Sequence, residues 1–364
     1  MLSALPASGA AVTATILTLM FVDGAGAYDI NDKLSIGGVI AGGYQYDGDD
    51  HQGGAAGTIR PHLDYRPTER DELFLKLGFS AGNAINDTSQ FALNPWDADL
   101  ESDVKGINGR NRDYLLTAWY KYTFSFDQKT SLGVTGGVVD SWDYLDLNAY
   151  ANDEYDQFMN EAFVNTPTAF LPSYDYGGVV ELVSSAFTAT AMVMNVGAND
   201  DGNSYWFWGA QIAYQVTTKL GKGNYRVVID GTSRDFLDPQ GLNEESLFGL
   251  TFSIDQVLTD AAGAFVRVGW QQDDAEVDFD AQYSAGLNIS GSLWNRPQDN
   301  FGIGYAYLSG GNGDVGDTQV LEGYARFRFG KYFALTTDLQ YMHEETSDGV
   351  LSGWIPGLRL VAEF

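Results

Sequence analysis

Strict period-two alternation, repeated along most of the chain, limits this sequence more than any single motif does. Phe333, Leu335, Thr337, Leu339 and Tyr341 share one face of an extended segment, and Ala334, Thr336, Asp338 and Gln340 share the other. Just upstream, Leu321, Ala325, Phe327 and Phe329 oppose Glu322, Arg326 and Arg328. The split recurs with Ile59, Leu63 and Tyr65 against Arg60, His62 and Asp64, and with Trp206, Trp208, Ala210, Ile212 and Tyr214 against Gly209, Gln211 and Gln215. Successive side chains of a strand point to opposite faces, so each segment reads as a strand with one apolar face and one polar or small face. Such strands build either a soluble sandwich with a dry interior or a membrane barrel with a dry exterior.

Connection lengths separate the two. Strands are expected over 33–46, 56–66, 72–81, 112–126, 131–140, 176–183, 187–195, 206–216, 223–233, 245–257, 264–272, 281–294, 300–309, 318–329, 332–342 and 353–364. Short connections follow the even-numbered strands, as at Ser184-Ser185-Ala186 and Gly330-Lys331, and long ones follow the odd-numbered strands. An even strand count with short periplasmic turns and longer external loops is the arrangement of a bacterial outer-membrane barrel, whereas a sandwich has no reason to sort loop length by parity. The expected fold is an all-β transmembrane antiparallel barrel of 16 strands in the cell outer membrane, among outer-membrane lipid and lipopolysaccharide.

Composition removes other classes. With no Cys among 364 residues, disulfide scaffolds, thiolate metal sites and thiol nucleophiles are excluded. The 49 acidic residues against 20 Lys and Arg leave no basic footprint for nucleic acid. Residues from Ala10 to Val22 are apolar and uncharged and lead into Gly24-Ala25-Gly26-Ala27, an A-x-A-like cleavage site. This reads as a signal peptide over 1–27, although Met1 to Gly9 carries no Lys or Arg; the barrel domain then spans 28–364. Beyond residue 27 no stretch is long and apolar enough to be a spanning helix.

The net charge of −29 averages over two environments. The long connections carry 32 acidic residues, with Lys105, Arg110 and Arg234 as their bases, so the strands and short turns are close to neutral. The polar strand faces hold Arg60, Lys76, Lys121, Arg226, Arg267, Arg326, Arg328 and Arg359, together with Asp64, Asp230, Glu322, Asp338 and Glu363. A Lys or Arg facing lipid at the midplane costs roughly 2–4 kcal/mol, so these side chains must face the lumen. They line either an aqueous pore or a plugged barrel in which they pair structurally; a 16-stranded barrel is wide enough for a channel.

The third long connection, about 140–175, is more than a link. Tyr155, Phe158, Met159, Ala162 and Phe163 fall at helical spacing, with Asn152 as a candidate N-cap, Asp153 and Glu154 in the first turn, and Pro167 ending the helix. Such a loop can fold inward and present Asn152, Asp153, Glu154, Asp156, Gln157 and Asn160 to the passage, or it can remain an external cap. Trp119 and Lys121 on the wall, with Arg226, Arg267, Arg326, Arg328 and Arg359, complete the candidate constriction. Trp119, Trp142, Tyr144, Tyr150 and Tyr155 are candidate rings for stacking on a sugar, although aromatics in barrels more often serve as girdle or packing residues.

The stretch from Asn148 to Pro167 (N-A-Y-A-N-D-E-Y-D-Q-F-M-N-E-A-F-V-N-T-P) resembles the carbohydrate-selective porins of the OprB type. So do Arg234-Asp235-Phe236-Leu237-Asp238-Pro239-Gln240-Gly241, the segment from Tyr283 to Tyr307, and the closing strand to Phe364. The resemblance implies a sixteen-stranded channel for sugars and similar small solutes, narrowed by its third loop. A terminal Phe364 after alternating apolar residues also resembles the signal read by the barrel assembly machinery. The sequence leaves open a cation-preferring general porin and a non-conducting structural or adhesive barrel, and equally a monomer or a homotrimer. No enzyme is expected. His51 and His343 lie in loops, and His62 lies on a wall with no nucleophile motif beside it. No cofactor and no metal site is expected either, since Asn199 to Asn203 and Gly311 to Asp314 lack the ligand spacing of a calcium loop.

Overall fold

The computed structural model describes residues 27–364; the signal peptide expected over 1–27 lies, but for Ala27, outside the described residues. Sixteen strands cross the wall in sequence order: β1 (Leu34–Asp47), β2 (Gln52–Tyr65), β3 (Asp71–Leu77, continued by Phe79–Ala81), β4 (Leu115–Ser125), β5 (Thr130–Val139), β6 (Asp175–Ser184), β7 (Phe187–Val196) and β8 (Tyr205–Thr217). The second half follows with β9 (Lys222–Thr232), β10 (Phe248–Thr259), β11 (Ala262–Gln271), β12 (Phe279–Ser290), β13 (Asn300–Gly310), β14 (Val315–Phe329), β15 (Phe333–Thr346) and β16 (Gly349–Glu363). Each pairs antiparallel with the next, and β1 pairs with β16 from Val39↔Glu363 to Gln45↔Gly357, which closes the barrel. Closure matters because an open strand edge cannot be tolerated in lipid. A short segment, Tyr28–Asn31, folds back on β1.

The alternation resolves as an inside-out protein. Ile59, Trp206, Leu339 and Leu360 are 46%, 59%, 45% and 51% exposed on the outer surface, while Thr336 and Gln340 are fully buried on the inner face. A water-soluble fold would reverse that distribution.

Turn parity follows the sequence pattern with lapses. The connections 82–114 and 140–174 are long, but those at 48–51, 311–314 and 347–348 are tight because their flanking strands continue beyond the membrane band. The loops expected over 47–55, 309–317 and 343–352 are thus largely tall hairpins. Other boundaries also move: β4 starts at Leu115 rather than 112, β10 starts at Phe248 rather than 245, and β12 stops at Ser290, where a 3-10 turn, Gly291–Trp294, takes over.

The core lies inside the barrel's outer half, where the loops 82–114 and 140–174 pack against the inner wall. Phe158, Met159, Ala162 and Phe163 are buried, as are Ile85, Leu93, Trp96 and Leu100 of the earlier loop. Phe158 and Phe163 lie with Phe265 of β11 and with Ala306 and Leu308 of β13 in one apolar cluster.

Candidate functional site

The third loop, 140–174, enters the lumen and follows the wall most of the way round. Asp146 N donates to Gln211 of β8, Phe170 N to Asp230 of β9 and Ala149 N to Asp255 of β10. On β11 the fully buried Arg267 gives Nε to Asp146 Oδ1 at 3.1 Å and its terminal nitrogens to the carbonyls of Phe163 (2.6 Å) and Asp146 (2.9 Å) and to Asn152 Oδ1 (3.0 Å). Gln282 of β12 donates to Ala162 O. Glu322 of β14 accepts from Met159 N (2.6 Å) and Asn160 N (3.1 Å). Arg359 of β16 donates to the carbonyls of Glu154 (2.5 Å) and Gln157 (2.8 Å). Hydrogen bonds from ionised groups are roughly twice as strong as neutral ones, so this wall holds the loop by its backbone.

Those anchors decide which expected residues reach water. Arg267 and Arg359 are fully buried under the loop, and Asn160 is buried with its side chain on Ala162 N and Gln340. Asn152 is turned to Arg267, and Asp153 caps the backbone N–H groups of Tyr155 and Asp156 at 2.8 Å each. Gln157 closes onto Asn152 N and Ala149 O. The placement of Arg267, Arg359 and Asn160 in the passage is therefore corrected, since all three are fully buried; Asn152, Asp153 and Gln157 hold the loop's shape while staying partly exposed. The long amphipathic helix is corrected too, since helix α1 covers only Glu161–Val164 with Asn160 as its cap. The wall has taken the backbone groups that helical hydrogen bonds would need.

A different set stays partly wet. Arg60 of β2 pairs with Asp99 (2.6 Å) and Glu154 (3.0 Å), with side chains 11%, 15% and 18% exposed, and also donates to the Tyr155 and Tyr174 hydroxyls. Lys76 of β3 faces Asp140 and Asp143 at 3.9 Å each and lies over the Tyr174 ring. Lys121 of β4 meets Glu181 of β6 at 2.5 Å. Three further pairs belong to the opposite wall: Arg326 with Asp156 at 2.7 Å, Arg328 with Glu363 at 3.1 Å, and Arg226 with Asp255 at 2.6 Å, the last with side chains only 9% and 4% exposed. Trp119 stacks on Phe74 at 5.2 Å, which stacks on His62 at 5.6 Å, and it also packs against the loop's apolar cluster. Glu154 is held up at about 7, because burial outweighs the pull of Arg60 while Asp153 and Asp99 push the same way. Asp140 is pushed up to about 8 by burial and by Asp143. The partly exposed groups of β2–β6 and the loops facing them mark the side along which the lumen stays hydrated.

Sequence reasoning missed Asp99 and the whole inward course of the second loop, 82–114. Trp96 Nε1 donates to Glu154 O, Pro95 O accepts from Gln45 and Gln340, and Ala92 N donates to Glu344. A signal was present: Ile85, Leu93, Trp96, Leu100, Val104 and Ile107 are too apolar for a loop meant only for water.

Residues 78–344 match the model of the "Carbohydrate-selective porin, OprB family". An uncharacterized protein of Aquifex aeolicus (strain VF5) is 29% identical over 326 residues, 88% of this chain and 92% of that one. The high-pH structure of Pseudomonas putida OprB superposes with a TM-score of 0.72 at 14% identity, covering 91% of this chain and 94% of its own. The low-pH structure of the same porin gives 0.59 at 13% identity, with 91% and 93% covered. Pseudomonas aeruginosa OccK11 gives 0.53 at 10% identity, with 94% and 98% covered. The chain shares the fold of the superposed porins, that of a bacterial outer-membrane diffusion channel, and it belongs to the carbohydrate-selective porin, OprB family.

Proposed function

We propose that this channel passes neutral carbohydrates and similar small hydroxylated solutes by diffusion through the gap between its inward loops and the β2–β6 wall. The observation that carries the reading is the partly wet array of Arg60 with Asp99 and Glu154, Lys76 with Asp140 and Asp143, and Lys121 with Glu181. Opposed charges within pairing distance offer donors and acceptors side by side, which suits a hydroxyl that can do both. A passing ion meets attraction from one partner and repulsion from the other.

The array also favours a second reading. Five carboxyl groups face three cations, with Glu154 and Asp140 gaining their charge only as pH rises through about 7 and 8, so a general porin with a cation preference fits the same residues at the higher pH. Liposome swelling with neutral sugars, run beside reversal potentials in a salt gradient, separates the two. Sugar uptake with weak ion preference supports the carbohydrate channel; strong cation preference with no sugar uptake supports the general porin. Absence of both conductance and swelling would leave a structural barrel. We assign Phe364, 37% exposed at the turn end of β16, as the handle for barrel assembly. Its backbone is already paired with Gly38, which leaves the ring to be read.

A further inference from the structure

Residues 105–113 reverse the sign of the connections around them: Lys105, Arg110 and Arg112 stand against Asp113 alone. Arg112 falls in this loop because β4 begins only at Leu115. The segment is a tight knot on the barrel rim. Gly106, Asn108, Gly109 and Asn111 take left-handed φ values between 51° and 66°, and Ile107 is buried with Val104, Leu116 and Tyr174. Asn108 Nδ2 donates to Ser173 O at 2.8 Å, which fastens the knot over the start of β6. From there the two arginines reach onto the outside of the wall. Their guanidinium carbons lie 5.1 Å and 5.9 Å from the centre of the Tyr176 ring, and Arg110 Nη2 donates to Asn195 O (2.7 Å) and Oδ1 (2.8 Å). Tyr176, Asn195 and Trp206 are register neighbours across β6, β7 and β8, and both rings are exposed on the lipid-facing surface. Each of the three lies one residue inside the long-loop end of its strand, the level at which an aromatic belt meets lipid headgroups.

The charge of this patch is only half balanced. Among the described residues Asp175 is the one carboxylate that pairs with either arginine, and it is fully buried. It is also saturated, since its oxygens accept from Arg110 Nε at 3.1 Å and from Tyr176 N and Gly197 N at 2.9 Å each. Arg112 stands 3.7 Å from it, gives Nη2 to Tyr174 O, and is left with Nε and Nη1 unpartnered. Charged donors without acceptors are costly, and a guanidinium fork matches the oxygens of a phosphate. We propose that Arg110, Arg112 and Tyr176 form a docking site on the outer wall for the phosphate of a lipopolysaccharide headgroup. Its acyl chains lie down the strand faces along the exposed Val180 and Val193, which is what a free anion could not use. The other side of the same belt is unlike it. There a cavity of about 490 Å³ is lined by Trp270, Tyr283 and Tyr307 with Asp273 and Asp280, and a phosphate would reach those carboxylates only through a bridging divalent cation.

The site is independent of which solutes the channel passes. The protein in detergent is titrated with bis-phosphorylated lipid A and with its dephosphorylated form, and bound lipid is counted by native mass spectrometry. The wild type is compared with Arg112→Gln, Arg112→Lys and the double variant Arg110→Gln/Arg112→Gln. The wild type should prefer the phosphorylated lipid, and each arginine lost should narrow that preference about fivefold. Arg112→Lys keeps the charge without the fork and should fall between the wild type and Arg112→Gln. A loosened fold would weaken both lipids alike, so the preference rather than the affinity is the readout. A preference unchanged in Arg112→Gln and in the double variant would overturn the site. One that disappears with EDTA would move the phosphate to the acidic side of the belt and overturn it equally. Inorganic phosphate displacing the lipid at equal concentration would make the patch a free-anion site and remove the lipid.

Discussion

Arg267 and Arg60 both point inward from barrel strands and both meet the third loop, yet their surroundings differ. Arg267 and its partner Asp146 are fully buried, and two of the four bonds from that guanidinium go to backbone carbonyls of the loop. Arg60 and its partners Asp99 and Glu154 keep 11–18% of their side-chain surface in contact with water. Removing one member of a buried pair strands the other without solvent, whereas a wet charge keeps hydration as an alternative partner. The β8–β16 wall therefore acts as the seat of the loop, and the β2–β6 wall as a surface that solutes meet.

The largest expected effect tests that division. Arg267→Ala should cost about 3–5 kcal/mol, because Asp146 is left charged and dry and two loop carbonyls lose their donor. Denaturant midpoints in detergent should fall, and single-channel conductance should rise as the loop leaves its seat. Arg60→Ala should shift ion selectivity with a much smaller stability change. If the two variants lost stability equally, the distinction between seat and passage would fail.

Next in size is a steric test of the same seat. A Cβ at Gly304 would lie 2.8 Å from Phe163 and 3.2 Å from Phe158, closer than packed atoms tolerate. Gly304→Val should destabilise by about 1–3 kcal/mol through overpacking and should widen the channel. Gly323, where the nearest atom to such a Cβ is 3.8 Å away, is the control: Gly323→Ala should leave the midpoint in place.

The seat also shows what could be read from sequence. Strand faces were legible because lipid and water impose opposite polarities on alternate residues, as at Leu339 and Gln340. The third loop was legible as a packing element because Phe158, Met159 and Phe163 cluster in an otherwise acidic stretch. Its conformation was not, since Glu322 and Arg359 bind the backbone groups at 154–160 from strands more than 150 residues away, and no local period records that. The second loop's entry escaped for a related reason: Trp96 fits over Gly43, where a Cβ would lie 2.7 Å from the indole, and that complementarity becomes visible only when β1 and the loop are side by side.

On the passage side, acidity is the sharper probe. Glu154 titrates at about 7 with Arg60, Asp99 and Asp153 around it, and Asp140 at about 8 with Lys76 and Asp143 beside it. Both carboxyls are raised, so they lose charge as pH falls through those values while Arg60 and Lys76 stay positive. Cation preference should therefore decline between about pH 8 and pH 6, and reversal potentials measured across that range should show it. Glu154→Gln should flatten the part of the curve near pH 7. A preference that stays constant until pH 5 would place these carboxyls away from the ion path.

The smallest expected effect comes from two pairs of equal length. Arg326 meets Asp156 at 2.7 Å with side chains 7% and 16% exposed, and Arg234 meets Glu245 at 2.7 Å with 66% and 27% exposed. Coulomb energy at a fixed distance scales inversely with the effective dielectric constant, and an exposed pair also gives up side-chain freedom to hold its geometry. Arg234→Ala on the outer rim should change stability by less than about 0.5 kcal/mol and leave conductance unaltered. Arg326→Ala should be measurable in both, because Asp156 sits in the loop that the wall positions. Denaturant midpoints for the two variants, with Glu245→Ala and Asp156→Ala to close each double-mutant cycle, isolate the pair terms. Equal coupling energies would mean that the lumen around Asp156 is as wet as the outer rim, and the contrast between a seated loop and an open passage would have to be redrawn there.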